Sequence, residues 1–289
     1  MIGVKSITIM QPIIAVIFDF DDTLAPDSTS SFLERQGLDV KAFWKSVEPL
    51  LKSGWDPVPA YLFRMVEASN KNPGKRFTKT AFEAHGRTLK PFAGATTIFS
   101  RIQKHVASIN QDAKVEFYVI SSGIRVTIQA SSLAKQFKDI WASDFHYGAD
   151  GEILFPKNVV SFTDKTRYLF HISKGIIGPE MRSRPFEVNR KHAASALRVP
   201  LSHMVYVGDG YTDIPCFSVI KNGGGTAIGV YDRENREKWG RAWGFTEDGR
   251  VSNLVPADYT KKSALADSLL MATESIARRI KLAGASYQG

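Results

Sequence analysis

Short apolar runs alternate with helical spacing along the chain. Val16-Ile17-Phe18 runs into Asp19, residues 115–120 run into Ser121-Ser122-Gly123, and residues 204–207 run into Gly208-Asp209. A fourth run covers residues 226–230, behind Gly223-Gly224-Gly225. Runs of this length, rich in β-branched and aromatic residues and bounded by turn residues, predict fully buried strands. Between them, Ile98, Phe99, Ile102 and Val106 follow Pro91-Phe92 at helical spacing, and Ala193, Ala194 and Leu197 suggest another helix. The alternation predicts an α/β fold, a Rossmann-like parallel sheet with helices on both faces. In such sheets ligands gather at the carboxyl ends of the strands.

Residues 28–90 break the pattern. Asp39 is placed to cap a helix with the apolar face Val40, Phe43, Trp44, Val47, Leu50 and Leu51, closed by Gly54. Val58, Tyr61, Leu62, Met65 and Val66 repeat the spacing, and Thr78 opens a further short helix with Phe82. The expected division is an α/β core of residues 1–27 and 91–289, with a small helical cap domain of residues 28–90 inserted after the first strand. Alternating apolar residues around Asp150-Gly151 predict a hairpin. Residues 263–280 predict a final helix.

Composition narrows the class. The 289 residues are 43% hydrophobic and 23% charged, ordinary for a globular protein. One cysteine, Cys216, excludes an internal disulfide framework and fits a reducing compartment. The apolar stretch before Asp19 is short and ends in acids, so it reads as a strand and not as a targeting segment. No run is long enough to span a bilayer. The expectation is a cytoplasmic protein without a membrane partner. The charge stands out: 38 Lys+Arg against 29 Asp+Glu leaves a net +9. That invites an anionic partner, nucleic acid included. Yet the sequence has no zinc-knuckle spacing, no helix-turn-helix signature, no aromatic-basic repeat and no paired histidine ligands.

The polar residues at the strand ends carry the chemistry. Asp19 and Asp21 stand two apart just past the first strand, so both carboxyls can reach one pocket. One can remain ionised as a nucleophile while the other is protonated as a general acid. An acidic, solvated turn with Asp22 capping a helix is the alternative. Asp209 and Asp213 follow another buried strand, and four converging acids call for a hard divalent cation, Mg²⁺ where phosphate also binds. Here the alternative is a glycine turn with Asp213 as an N-cap. Ser121 offers a hydroxyl and Ser122-Gly123 offer backbone amides to a phosphate. Lys165, at the head of a predicted helix, is the candidate cation, with Lys174 and Lys191 as substitutes. Cys216 is assigned to packing.

Together, Asp-Phe-Asp-Asp-Thr-Leu at 19–24, Val-Ile-Ser-Ser-Gly at 119–123, Lys165 and Val-Gly-Asp-Gly-Tyr-Thr-Asp at 207–213 resemble the haloacid dehalogenase superfamily of phosphohydrolases. The helical insert is similar to that superfamily's first-type cap. The Asp150-Gly151 hairpin and the Gly-Asp-Gly motif resemble the phosphoserine phosphatase branch most. The resemblance implies that Asp19 attacks phosphorus to form an aspartyl-phosphate and that Asp21 protonates the leaving alcohol, then activates water. It also implies that Asp209 binds Mg²⁺ with the Asp19 carboxylate and the Asp21 backbone carbonyl, Asp213 supporting, while Ser121 and Lys165 hold the phosphoryl oxygens.

The chain departs from that branch twice. Ser28, with Asp27 beside it, stands where a glutamate would recognise a substrate amine, which argues against phosphoserine itself. Residues 173–190 form an extra stretch with Pro179, Pro185 and several basic residues, read as an irregular flap. The expected function is Mg²⁺-dependent hydrolysis of a small anionic phosphate ester. A phosphotransferase using the same intermediate, or a basic nucleic-acid binder on an inactive phosphatase fold, are the alternatives. Residues 71–90 hold six Lys/Arg against Glu83, net +5, and residues 157–191 hold eight against Asp164, Glu180 and Glu187, again net +5. Those two segments are expected to border the site and steer the anionic substrate, with solvated surface as the alternative.

Overall fold

The structure is a computed structural model that describes residues 12–233, 244, 246 and 248–286. The remainder of the expected core therefore lies outside the described residues. A seven-stranded sheet forms its centre. The strands are β1 (Ile13–Phe18), β2 (Lys114–Ile124), β3 (Asp139–Tyr147), β4 (Ile153–Asn158), β5 (Met204–Gly208), β6 (Thr226–Tyr231) and β7 (Asn253–Pro256). Their order is β4-β3-β2-β1-β5-β6-β7, and only the β3–β4 pair is antiparallel, the hairpin that turns at Asp150-Gly151. Gly151 takes a φ of +79° there, a left-handed geometry that glycine adopts without strain.

β1 is central because all six of its side chains are apolar and buried. Successive residues point to opposite faces. Ile14, Val16 and Phe18 pack on α5 (Ala95–Ile109) and the C-terminal helix α9 (Ala264–Ser286). Ile13, Ala15 and Ile17 pack on α7 (Phe162–Lys174) and α8 (Ile214–Asn222). Helices thus cover both faces, as the apolar runs predicted. Among the described residues no helix is long and apolar enough to cross a membrane.

Between β1 and α5 lie four helices: α1 (Ser28–Arg35), α2 (Val40–Lys52), α3 (Pro57–Lys71) and α4 (Lys79–Gly86). Their own core, with Phe32, Phe43, Val47, Leu62, Met65 and Phe82, closes against Ile124, Val126, Phe145 and Ile153. These helices therefore sit over the carboxyl ends of β2 and β3. Each helix begins at a side-chain cap: Asp27, Asp39, Asp56 and Thr78 accept bonds from first-turn amides, satisfying donors the helix leaves open.

Two sequence expectations change. The helix anticipated around Ala193, Ala194 and Leu197 is only a 3₁₀ turn at Ala194–Ala196. Three small apolar residues cannot nucleate a helix with Pro200 so close behind. The helix holding Lys165 begins earlier, at Phe162, which puts the lysine in its first turn. The stretch 173–190 is irregular as anticipated once α7 ends at Lys174, with 3₁₀ turns at Pro179–Ser183 and Glu187–Asn189.

Candidate active site

Sheet register brings the candidate residues together. Phe18 pairs with Val119 of β2 and with Val207 of β5, so Asp19 leaves the sheet between the ends of those two strands. Its amide still donates to the Val207 carbonyl at 2.9 Å. The chain then curls tightly: the amides of Thr23, Leu24 and Ala25 all reach the Phe20 carbonyl, at 3.3, 2.8 and 3.2 Å. Asp22 holds a left-handed φ of +55° in that curl, a costly conformation for a residue with a Cβ.

Lys165 is completely buried, and its ammonium donates to Asp19 Oδ2 and to Asp213 Oδ1, both at 2.7 Å. Asp213 is equally buried. It also accepts from the Tyr206 hydroxyl at 2.8 Å and from the Gly210 amide at 3.0 Å. The Phe20 amide donates to Asp19 Oδ1 at 2.6 Å. Oxygens of Asp19, Asp209 and Asp213 lie within 4.8 Å of one another. The Thr23 hydroxyl donates to Asp209 Oδ1 at 3.4 Å. Of the fallback lysines, Lys174 turns away to the carbonyls of Val188 and Arg190, at 2.5 and 2.7 Å, and Lys191 is exposed.

This donor set fits a hard divalent cation. Three carboxylates against one ammonium leave a charge near −2, and all the ligands are oxygens, which suits Mg²⁺. The absence of a Cβ at Gly208 leaves room for Asp213, whose Cγ would lie 2.5 Å from such an atom. The Asp21 side chain stands apart from the three-acid cluster. Its Oδ1 accepts from the Ser28 amide at 2.8 Å, and its Oδ2 would lie 2.3 Å from a Cβ on Gly123. Gly123 is therefore the residue that lets the two motifs touch. Its amide donates to Ser121 Oγ at 3.1 Å, which leaves the Ser121 hydroxyl proton for another acceptor.

The two carboxyls of the first motif sit in different electrostatic surroundings. Burial raises the Asp19 carboxyl to about 6, opposed by the adjacent Lys165 and reinforced by Asp213. Burial and the neighbouring Asp27 push Asp21 to about 8, only partly offset by its bonds to Ser28. Among the described residues no cation is paired with Asp21. Asp19 and Asp213 share one, and the Lys165 ammonium, although burial opposes its charge, is held firmly protonated by the two carboxylates.

Sequence reading missed three contributors. Tyr61 of α3 donates to the Ser122 carbonyl at 2.6 Å, tying the helical insert to the phosphate-binding candidate loop. In the sequence it is simply one member of an apolar helical face. Tyr206 is one residue of a buried strand, distinguished only by a hydroxyl that must find a partner. Asp27 caps α1 through the Thr29 and Ser30 amides, both at 2.9 Å, and so sits beside Asp21. Around this site, the buried hydroxyls of Ser28 and Ser122 have no partner among the described residues.

Comparison with known proteins identifies the family and the fold. A family model for haloacid dehalogenase-like hydrolases matches residues 16–218. An uncharacterized protein of Borreliella burgdorferi is 26% identical over 284 residues, covering 88% of this chain and 94% of its own. The fold is similar to that of a HAD family hydrolase from Salmonella enterica serovar Typhi, with a TM-score of 0.57 at 13% identity over 91% of this chain and 72% of that one. It is also similar to a phosphoserine phosphatase solved as a phospho-aspartyl intermediate analogue, with a TM-score of 0.53 at 16% identity over 89% and 98% of the two chains. Because the family match runs from within the first strand through the insert and all the acidic motifs, the chain belongs to the haloacid dehalogenase-like hydrolase family.

Proposed function

We propose that this protein hydrolyses a small phosphomonoester with Mg²⁺ through an aspartyl-phosphate on Asp19. The observation that carries the reading is the separation of roles around β1: Asp19 lies in a three-acid cluster bonded to Lys165, while Asp21 lies outside it, against Gly123 and the Ser28 amide. Mg²⁺ bound by Asp19 and Asp209, with Asp213 and the Asp21 carbonyl in support, would neutralise charge on the phosphoryl group.

The chain's own residues do the rest. Asp19 Oδ attacks phosphorus as the bond to the ester oxygen breaks, and Asp21 delivers its proton to the departing alkoxide. Asp21, now ionised, takes a proton from water as that water attacks the aspartyl-phosphate, which releases phosphate and restores both carboxyls. Ser121 donates its hydroxyl to a phosphoryl oxygen, the amides of Ser122 and Gly123 line the same side, and Lys165 compensates charge on the attacked group. The unpartnered Ser28 and Ser122 hydroxyls would serve as donors to polar groups of the substrate.

A phosphomonoester panel assayed for released phosphate, with Mg²⁺ and with EDTA, tests this. Release from at least one ester, abolished by EDTA and by Asp19→Asn, is the expected result. No release from any ester, or indifference to EDTA, overturns it. Turnover that rises with added alcohol acceptors would convert the reading to phosphotransfer. Salt-dependent binding of DNA or RNA, unchanged in Asp19→Asn, would instead support the nucleic-acid reading.

A further inference from the structure

A cavity of about 360 Å³ lies on the α7 side of β3, and none of Asp19, Asp21, Ser121, Lys165, Asp209 or Asp213 lines it. That volume falls in the range of small-molecule sites. Its floor is the stretch of β3 through Trp141 and Asp144, its wall is the part of α7 that carries Arg167, and its roof is residues 176–185 of the extra stretch. The roof is fixed from below. Asp139 of β3 accepts from the Gly178 amide at 2.8 Å and from the Arg182 guanidinium at 2.7 Å.

The lining is cationic and incompletely satisfied. Arg125, Lys157, Arg167 and Arg182 all border the cavity. Arg125 and Lys157 share Asp144, and Arg182 pairs with Asp139. Arg167 has no carboxylate partner among the described residues; it lies over the Tyr168 ring, 4.8 Å from its centroid, and donates to that hydroxyl. Four cations therefore face two carboxylates. The Nε–H groups of both Arg125 and Arg167 are buried without an acceptor. A buried donor left unpaired is costly, and an anionic oxygen at that point would satisfy it. Beside these donors the lining turns apolar, with Ile140, Trp141, Ile176 and Met181.

We propose that this cavity is a second binding site, for a small organic anion whose phosphate or carboxylate is held by Arg125 and Arg167 and whose apolar part lies against Ile176 and Met181. The extra stretch of residues 173–190 then has a purpose: it closes this site. The basic excess of residues 157–191 belongs partly here, through Lys157, Arg167 and Arg182.

Calorimetric titration of the full chain in EDTA is the test, because the metal-free acid cluster repels anions. The ligands are phenylphosphonate, benzoate and neutral benzamide. At least one of the two anions should bind saturably, and benzamide should not; whichever anion binds more tightly identifies the head group. Losing one charge-assisted contact weakens binding by about tenfold or more, so Arg167→Met should raise Kd by that factor. Lys157→Met, at a half-exposed position where Asp144 keeps Arg125, should fold normally and also weaken binding. Ser121→Ala should retain it. Failure of both anions to bind, equal binding of benzamide, or binding that survives both cavity variants and disappears in Ser121→Ala, would overturn the proposal.

Discussion

Lys165→Met isolates the electrostatic logic of the site from its chemistry. The ammonium is wholly buried and bonds two carboxylates, Asp19 and Asp213, themselves 6% and 0% exposed. Methionine keeps most of the volume and removes the charge. Removing one partner of a buried ion pair costs about 3–5 kcal/mol, because the remaining charge is uncompensated. Against a total stability of about 5–15 kcal/mol the loss is large. For a chain of 289 residues it corresponds to a fall in Tm of about 5–8 °C. The loss must also depend on pH. Without the ammonium, the folded-state pKa of Asp19 rises above the value of about 6 it has with Lys165 present. An acid whose folded pKa lies above its unfolded value is stabilising while protonated, and that contribution is lost as pH rises from the unfolded toward the folded pKa. The variant's loss relative to wild type should therefore be smaller at pH 5 than at pH 8, in metal-free buffer. Mg²⁺ should restore part of the stability at pH 8 by supplying a cation to the same acids. Denaturant midpoints at the two pH values, with EDTA and with Mg²⁺, decide the matter. An equal loss at pH 5 and pH 8, or no loss at either, would refute the account of Lys165 as the counter-ion of two buried carboxylates.

Other perturbations test neighbouring steps. Asp21→Asn should leave a covalent phosphate on the protein after brief exposure to substrate, and peptide mass spectrometry should place it on Asp19; a label elsewhere removes Asp19 as the nucleophile. Gly123→Ala would bring a Cβ to 2.3 Å from Asp21 Oδ2. The Asp21 carboxyl must then move, so kcat should fall by about 10²-fold with a modest change in stability, read by steady-state kinetics beside thermal melting. Metal-free wild-type protein should lose stability as pH rises between about 4 and 8, because Asp21 at about 8 and Asp19 at about 6 both lie above the ordinary 3.8. Asp21→Asn should flatten the upper part of that profile.

The parts of the fold legible in the sequence are those where local pattern and tertiary role coincide. β1 is an unbroken apolar run because both faces of a central parallel strand are covered, and the acids at its end are the first polar residues after it. The helices α2, α3 and α4 announce themselves by Asp39, the apolar spacing from Val58 to Val66, and Thr78. Helix α1 does not, since its opening Ser-Thr-Ser-Ser reads as a turn. Long-range contacts hold it instead: Trp44 donates to Ser30 Oγ at 2.9 Å, and Phe32 stacks on Phe82 with ring centroids 4.1 Å apart. The same limit explains Tyr61 and Tyr206, whose hydroxyl partners are set by packing and leave no periodic trace. It also explains Asp213, which the sequence offers equally as metal ligand or helix cap, and which the structure pairs with a lysine 48 positions away.

The placement of cations is what differentiates four otherwise identical side chains. Asp19 and Asp213 share Lys165, and Asp209 joins them in a cluster whose remaining charge near −2 matches one divalent ion. The Asp21 side chain lies outside that cluster and is not paired with Lys165, and the charge that acts on it most strongly is another acid, Asp27. Burial first, and Asp27 next, favour retention of the Asp21 proton, and a retained proton is what a leaving alkoxide requires. The basic excess elsewhere does not enter this balance. Arg76 pairs with Glu152, Arg87 with Glu83, and Arg182 with Asp139, while Lys174 is bonded to carbonyls of residues 188 and 190. Of the 38 Lys+Arg residues behind the net +9, several are neutralised in local ion pairs, and Arg125, Lys157, Arg167 and Arg182 gather at the β3–α7 cavity. Discrimination at the acid cluster then depends on short-range compensation, since at physiological ionic strength exposed charges are screened beyond about 8 Å. On the proposed function, a phosphate dianion approaches those acids only with the divalent cation already there. Metal binding must therefore strengthen substrate binding, and by linkage substrate must strengthen metal binding by the same factor.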